Sequence, residues 1–179
     1  MTSREALEQL FLKNGFNDFK WIDPKEIKVA FWVRMKCIYG CPEYGKNASC
    51  PPNIPSVSEC ERFFQEYKKA VIFHFDKKVE KPEERLAWSK KINQNLLNLE
   101  REVFFAGYEK TFLLFMASCE ICQECTKERE KCKHPRLSRP TPEAMAIDVF
   151  TTAKQVGYSI KVLKEYSEKM DRFAFLMIE

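Results

Sequence analysis

The hydrophobic and polar positions switch between two periods along the chain, and the switches mark out its elements. Residues 2–13 place Ala6, Leu7, Leu10 and Phe11 at helical spacing behind a Thr2/Glu5 capping box. Residues 27–35 alternate instead: Ile27, Val29, Phe31, Val33 and Met35 are apolar, while Lys28 and Arg34 are not. That alternation predicts a strand running into Cys37. Residues 37–55 carry prolines and glycines and predict an irregular loop. Ser56 and Glu59 form a second capping box, opening a helix with Cys60, Phe63, Phe64 and Tyr67 on one face. Residues 70–75 predict a strand, residues 82–107 a long helix opened by Pro82 and closed by Gly107, and residues 111–116 a buried strand leading to Cys119. A helix from Thr141 to Val156 and two closing strands, 158–163 and 172–178, complete the pattern.

Alternating strands and helices suggest crossover connections. The expected fold class is therefore α/β: one domain, residues 1–179, with a small, mainly parallel or mixed sheet and flanking helices. Two cysteine-rich metal loops would then leave strand ends at one sheet edge, where open α/β folds place their ligands.

Cysteine changes the picture most. The eight cysteines form two groups, Cys37/Cys41/Cys50/Cys60 and Cys119/Cys122/Cys125/Cys132. Three thiols at consecutive three-residue steps, with a fourth a short loop away, suit a cuboidal [4Fe–4S] cluster, because each iron takes one thiolate. Structural zinc more often pairs two Cys-x2-Cys knuckles far apart in sequence, and it stands as the alternative. The N-terminal residues carry no apolar signal core and no stretch is apolar enough to span a membrane. A cytoplasmic chain is expected, whose cysteines are ligands rather than disulfides. The formal net charge of +4 shrinks once two thiolate-held sites, each about −2, are counted. The basic residues Lys127, Arg129, Lys131, Lys133, Arg136 and Arg139 then balance the second group, and they argue for no nucleic-acid partner.

The first group is less regular. Cys37, Cys41 and Cys50 lie in the Pro/Gly-rich loop, whereas Cys60 lies on the apolar face of a helix and reads equally well as ligand or core thiol. If Cys60 ligates, the site is closed and suits electron transfer. If it does not, one metal position is open to a substrate atom, and Tyr39, Tyr44, Lys46, Asn47 and Ser49 are the nearby polar groups. His134, two residues after Cys132, could replace a cysteine ligand but reads rather as a group supporting the ligands from behind or as a surface residue. His74, in an apolar strand, reads as a core histidine, and Asp148, in an apolar helix, as a buried carboxylate paired with Arg139 or a lysine.

The loop Cys41-Pro-x-Tyr44-Gly45-x4-Cys50-Pro51-Pro52, the second cysteine group with Pro135, and the segment from Arg139-Pro140 through Glu143, Ala144, Met145, Ile147, Asp148 and Val149 together resemble one family. It is the predicted metal-binding proteins DUF2284, found in anaerobic bacteria and methanogenic archaea. Thr141-Pro142 departs from the Ser-Met expected there but keeps the cap. The resemblance implies metal binding and an anaerobic cytoplasm, and no reaction.

No nucleotide-binding glycine loop occurs, and two scattered histidines support no nucleophile–base pair. Three functions remain. One is an iron–sulfur protein, with two [4Fe–4S] clusters, exchanging electrons with a partner redox enzyme. The others are an enzyme using an open iron at Cys37/Cys41/Cys50 and a zinc-stabilised interaction module.

Overall fold

The computed structural model describes residues 3–165 and 167–179. The Thr2 half of the first capping box lies outside the described residues. Helices are α1 (Ser3–Lys13), α2 (Phe31–Gly40), α3 (Val57–Gln65), α4 (Pro82–Phe105) and α5 (Val149–Gln155). Strands are β1 (Phe19–Ile22), β2 (Ala70–Lys77), β3 (Phe112–Leu114) and β4 (Met170–Met177).

The four strands form one sheet in the order β1-β2-β4-β3, and every neighbouring pair is antiparallel. The expected mainly parallel or mixed sheet is thus overturned. Because β2 and β3 are both antiparallel to β4, they point the same way, as a crossover through α4 requires. The last strand, however, inserts between them. Both faces of this sheet are covered, which gives its strands the continuous apolar runs more familiar from parallel sheets. In β2, Val71 and Phe73 face α1 and α4, while Ala70 and Ile72 face α3 and α5. In β4, Ala174 and Leu176 join the first layer, and Phe173, Phe175 and Met177 the second.

Local rules explain the elements that the pattern found. Ser56 caps α3 reciprocally: its backbone N–H donates to Glu59 Oε2 at 2.9 Å, and Glu59 N–H donates to Ser56 Oγ at 3.3 Å. Pro82 opens α4, and beyond its end Gly107 takes φ +99°, a left-handed turn that disfavours a side chain.

Three further expectations fail. The strand at 27–35 is a single bridge, Val29 to Ile147, followed by α2. The alternation misled because Phe31 and Trp32 face outward, 63% and 46% exposed, while Val33 and Arg34 are buried. The helix expected from 141 is a set of turns until Asp148, whose side chain accepts from Thr151 N–H and caps α5. Residues 158–163 have no strand partner and run as coil.

Candidate metal centre and adjoining cleft

The second cysteine loop is fixed at both ends. Where it leaves β3, Phe115 N–H donates to Pro140 O at 2.9 Å, and Asn93 Nδ2 donates to Ala117 O at 3.1 Å. Where it returns, Arg139 grips the buried Glu100 with two donors, Nε to Oε1 at 3.0 Å and Nη2 to Oε2 at 2.9 Å. Glu100 Oε1 also accepts from Leu113 N–H at 2.8 Å, so one carboxylate joins the strand to the end of the loop.

Between these anchors Cys119, Cys122, Cys125 and Cys132 surround one small void of about 20 Å³, together with Asn47, Ala48, His134 and Ser138. All four thiols are free and partly buried. Lys127 turns the chain there with φ +67°.

The first loop is laced onto the second. Asn47 Nδ2 donates to Cys119 O at 3.0 Å, and Ala48 N–H donates to Cys125 Sγ at 3.3 Å. Asn53 Nδ2 donates to Lys127 O at 2.7 Å, while Asn53 Oδ1 accepts from Arg129 N–H at 3.2 Å. Ser49, buried, holds the Asn47 amide through both its N–H and its hydroxyl. Asn47 and Ser49 therefore act as braces between loops. Tyr39, by contrast, is 81% exposed and Tyr44 lies at the surface.

Cys37 sits in the last turn of α2, Cys41 is its C-cap, and Cys50 lies in the following turns. Burial, reinforced by Cys37, Cys41 and Cys119, pushes the Cys50 thiol up to about 12. Burial and then Cys41 also raise Cys37, while the Arg34 guanidinium opposes the rise. These mutual effects place Cys37, Cys41 and Cys50 in one neighbourhood that reaches the second group through Cys119.

Cys60 is elsewhere. It is fully buried on the apolar face of α3, with its thiol toward Pro55 O at 3.6 Å and Met145 Sδ at 3.9 Å. It belongs to the core beneath the loop.

Arg34 escaped notice in the sequence because a strand would have turned it to solvent. On α2 it stands one turn before Cys37, buried, donating to Pro55 O and Ala144 O, with no carboxylate partner among the described residues and its Nε unsatisfied. A lone buried guanidinium is costly unless negative charge gathers beside it. Asn53 was missed too; its only signal was its place just after Cys50-Pro51-Pro52.

Other expected residues resolve simply. Arg129 turns inward to Ser138 Oγ and Pro135 O, and Lys131 pairs with Glu128. Asp148 is a helix cap, and Arg139 pairs with Glu100 instead. His74 is largely buried and both its ring nitrogens are satisfied by carboxylates, Nδ1 meeting Asp18 at 2.6 Å and Nε2 meeting Asp171 at 2.9 Å.

Beside Cys37 and Cys41 opens a cleft of about 620 Å³, which also exposes Glu143. Surrounding protein raises the Glu143 carboxyl above its ordinary range, although the side chain is open to the cleft.

The donors suit a metal with an affinity for soft ligands: seven thiols in two contacting loops, an N–H already directed at one sulfur, and an uncompensated cation nearby. A single tetrahedral zinc needs sulfurs about 3.8 Å apart, from Zn–S near 2.3 Å. Among the described residues no three Cys, His, Asp or Glu side chains form such a single-ion set. The fit therefore rests on donor chemistry and convergence.

An antiparallel sheet covered on both faces thus carries two cysteine-bearing loops laced to each other. The chain belongs to the predicted metal-binding protein family DUF2284, whose model matches residues 20–178. No curated protein and no solved structure matches it.

Proposed function

We propose that the chain is an iron–sulfur protein in which Cys119, Cys122, Cys125 and Cys132 hold one [4Fe–4S] cluster and Cys37, Cys41 and Cys50 hold a second. It exchanges electrons with a partner redox enzyme in a reducing cytoplasm, as a single metal-binding domain. Contact between the two loops through Asn47, Ala48 and Asn53 carries this reading. Sites held by contacting loops suit electron passage from one to the other. Clusters in these positions would supply one-electron chemistry.

The residues around the thiols have definite tasks. Ala48 N–H, donating to Cys125 Sγ, stabilises negative charge on that sulfur. Arg34 offsets thiolate charge at Cys37. Asn47 and Asn53 hold the loops in register, and the Arg139–Glu100 pair holds the exit of the second loop.

Iron and acid-labile sulfide counts on anaerobically purified protein, with its visible spectrum, test the reading. About eight irons and eight sulfides per chain are expected. A colourless protein with zinc and no sulfide overturns it in favour of a structural module.

One observation favours an enzyme as the second reading: Cys60 lies in the core, and the cleft opens beside Cys37 and Cys41. Three thiols leave one position at that site for a substrate atom. A change in the paramagnetic spectrum on adding a small ligand supports it; an unchanged spectrum across candidate ligands removes it.

A further inference from the structure

We propose that the outward face of α2 is a two-fold interface between two copies of this chain, with Met35 at the axis and with Phe31 and Trp32 packed on Tyr39 and Ile38 of the partner subunit. The interface is independent of which metal the thiolates hold.

A surface helix ordinarily turns charge to solvent and apolar groups inward. In α2 the order is reversed. Its inward residues are Val33 and Arg34, both buried, with Cys37 partly buried beside them. At 3.6 residues per turn, Phe31, Trp32, Met35, Ile38 and Tyr39 share the opposite arc, and not one of them is charged. Tyr39, Phe31 and Trp32 leave 81%, 63% and 46% of their surface open, and Ile38 is exposed beside them. Trp32 also borders the cleft, on whose rim Phe150 and Val162 are exposed as well. With aromatic side chains of about 150–250 Å² each, this open apolar surface comes to about 600 Å², the upper end of the largest patch on a soluble monomer.

The order of residues along the arc selects the occupant. Positions 31, 32, 35, 38 and 39 are symmetric about 35. In an isologous pair, residue i meets j and j meets i, so two antiparallel helices across the axis join positions whose numbers add to a constant. With Met35 on the axis, Phe31 meets Tyr39 of the partner subunit, Trp32 meets the partner's Ile38, and Met35 meets its own counterpart. Every apolar residue of the arc finds an apolar partner, and none meets a charge. A second copy requires this self-complementarity, whereas an unrelated partner does not. Apolarity points the same way, because homodimer interfaces are more apolar than those of transient complexes, and redox encounters are small. Two such patches bring about 1,200 Å² together, the low end of stable interfaces before any polar rim is added.

Sedimentation velocity on the anaerobically purified, metal-containing protein, from about 1 to 100 µM, tests this. A species of twice the 21.2 kDa chain mass is expected, with a Kd of about 1 µM or below. Met35→Lys and Met35→Glu should each raise that Kd about a hundredfold, since like charges then meet at the axis. An equimolar mixture of the two should dimerise again, within about tenfold of the unaltered protein, because opposite charges now meet. Phe31→Glu and Tyr39→Lys, at exposed positions, should repeat the pattern, each weakened alone and restored when mixed. This second pair decides should a Met35 variant fail to fold. Phe105→Lys, exposed at the end of α4, should leave the dimer intact. A monomer throughout the range, a dimer indifferent to the charges on α2, or mixtures that stay monomeric would overturn the proposal. A monomer holding about eight irons refutes the dimer and spares the iron–sulfur reading, while a zinc-containing dimer does the converse.

Discussion

Replacing Glu100 with Gln should destabilise the protein by about 3 kcal/mol, through loss of charge at a single buried carboxylate. Glu100 and Arg139 side chains are 7% and 18% exposed, so solvent screening is small. Removing one partner of a buried pair typically costs about 3–5 kcal/mol, because the other charge is left uncompensated. The low end applies here, since Arg139 Nη1 keeps two carbonyl acceptors, Arg136 O and Ser138 O. Gln also retains an oxygen for Leu113 N–H, so the deficit isolates charge from hydrogen-bond count. For a chain of this size, about 3 kcal/mol corresponds to a fall in Tm of roughly 6–12 °C. Urea unfolding of Glu100→Gln, Arg139→Met and the double variant provides the cycle. A coupling of about 1.5 kcal/mol or more is expected, with the double variant recovering much of the loss. If each single change costs less than about 1 kcal/mol and the two add, the clamp is a surface ornament and the account of the loop exit is wrong.

Other outcomes follow from the site. Cys60→Ala should leave metal content unchanged while lowering stability by about 1 kcal/mol, whereas Cys50→Ala should lower metal content; metal analysis beside a melting curve separates the two. Arg34→Met should leave the metal-free protein as stable or more so, yet reduce metal retention in a chelator competition. Tyr67, whose hydroxyl donates to Lys110 O at 2.8 Å, is pushed by burial up to about 12. Its folded value lies above the unfolded one near 10, so its stabilisation is complete below about pH 10 and fades toward pH 12; Tyr67→Phe should remove that part of the alkaline decline in Tm.

Sequence pattern reached the elements whose signals are local. The Ser56/Glu59 box, Pro82 and Gly107 each carry their own stereochemical instruction, and α3 and α4 follow them. Strand direction carries no such mark: Val71 and Phe73 would read the same in either sense, and only the insertion of β4 decides. Residues 31–40 failed for a different reason. Their period is set by what the protein leaves uncovered, because Phe31 and Trp32 face outward, and an outward aromatic is indistinguishable in sequence from an inward one. At the cysteines, spacing identified the groups. It could not identify Arg34, Asn53 or the sequestration of Cys60, which arise from contacts between distant segments.

The place of β4 also sets a timetable. Eight residues of β2 lie against it, and β3 meets nothing else in the sheet. During synthesis, then, both cysteine loops emerge before the strand that unites their supports. A ribosome-bound chain ending before Met170 would present all its thiols without a finished scaffold. Metal acquisition would thereby wait for β4, and chains released before it should fail to retain metal even with every cysteine present.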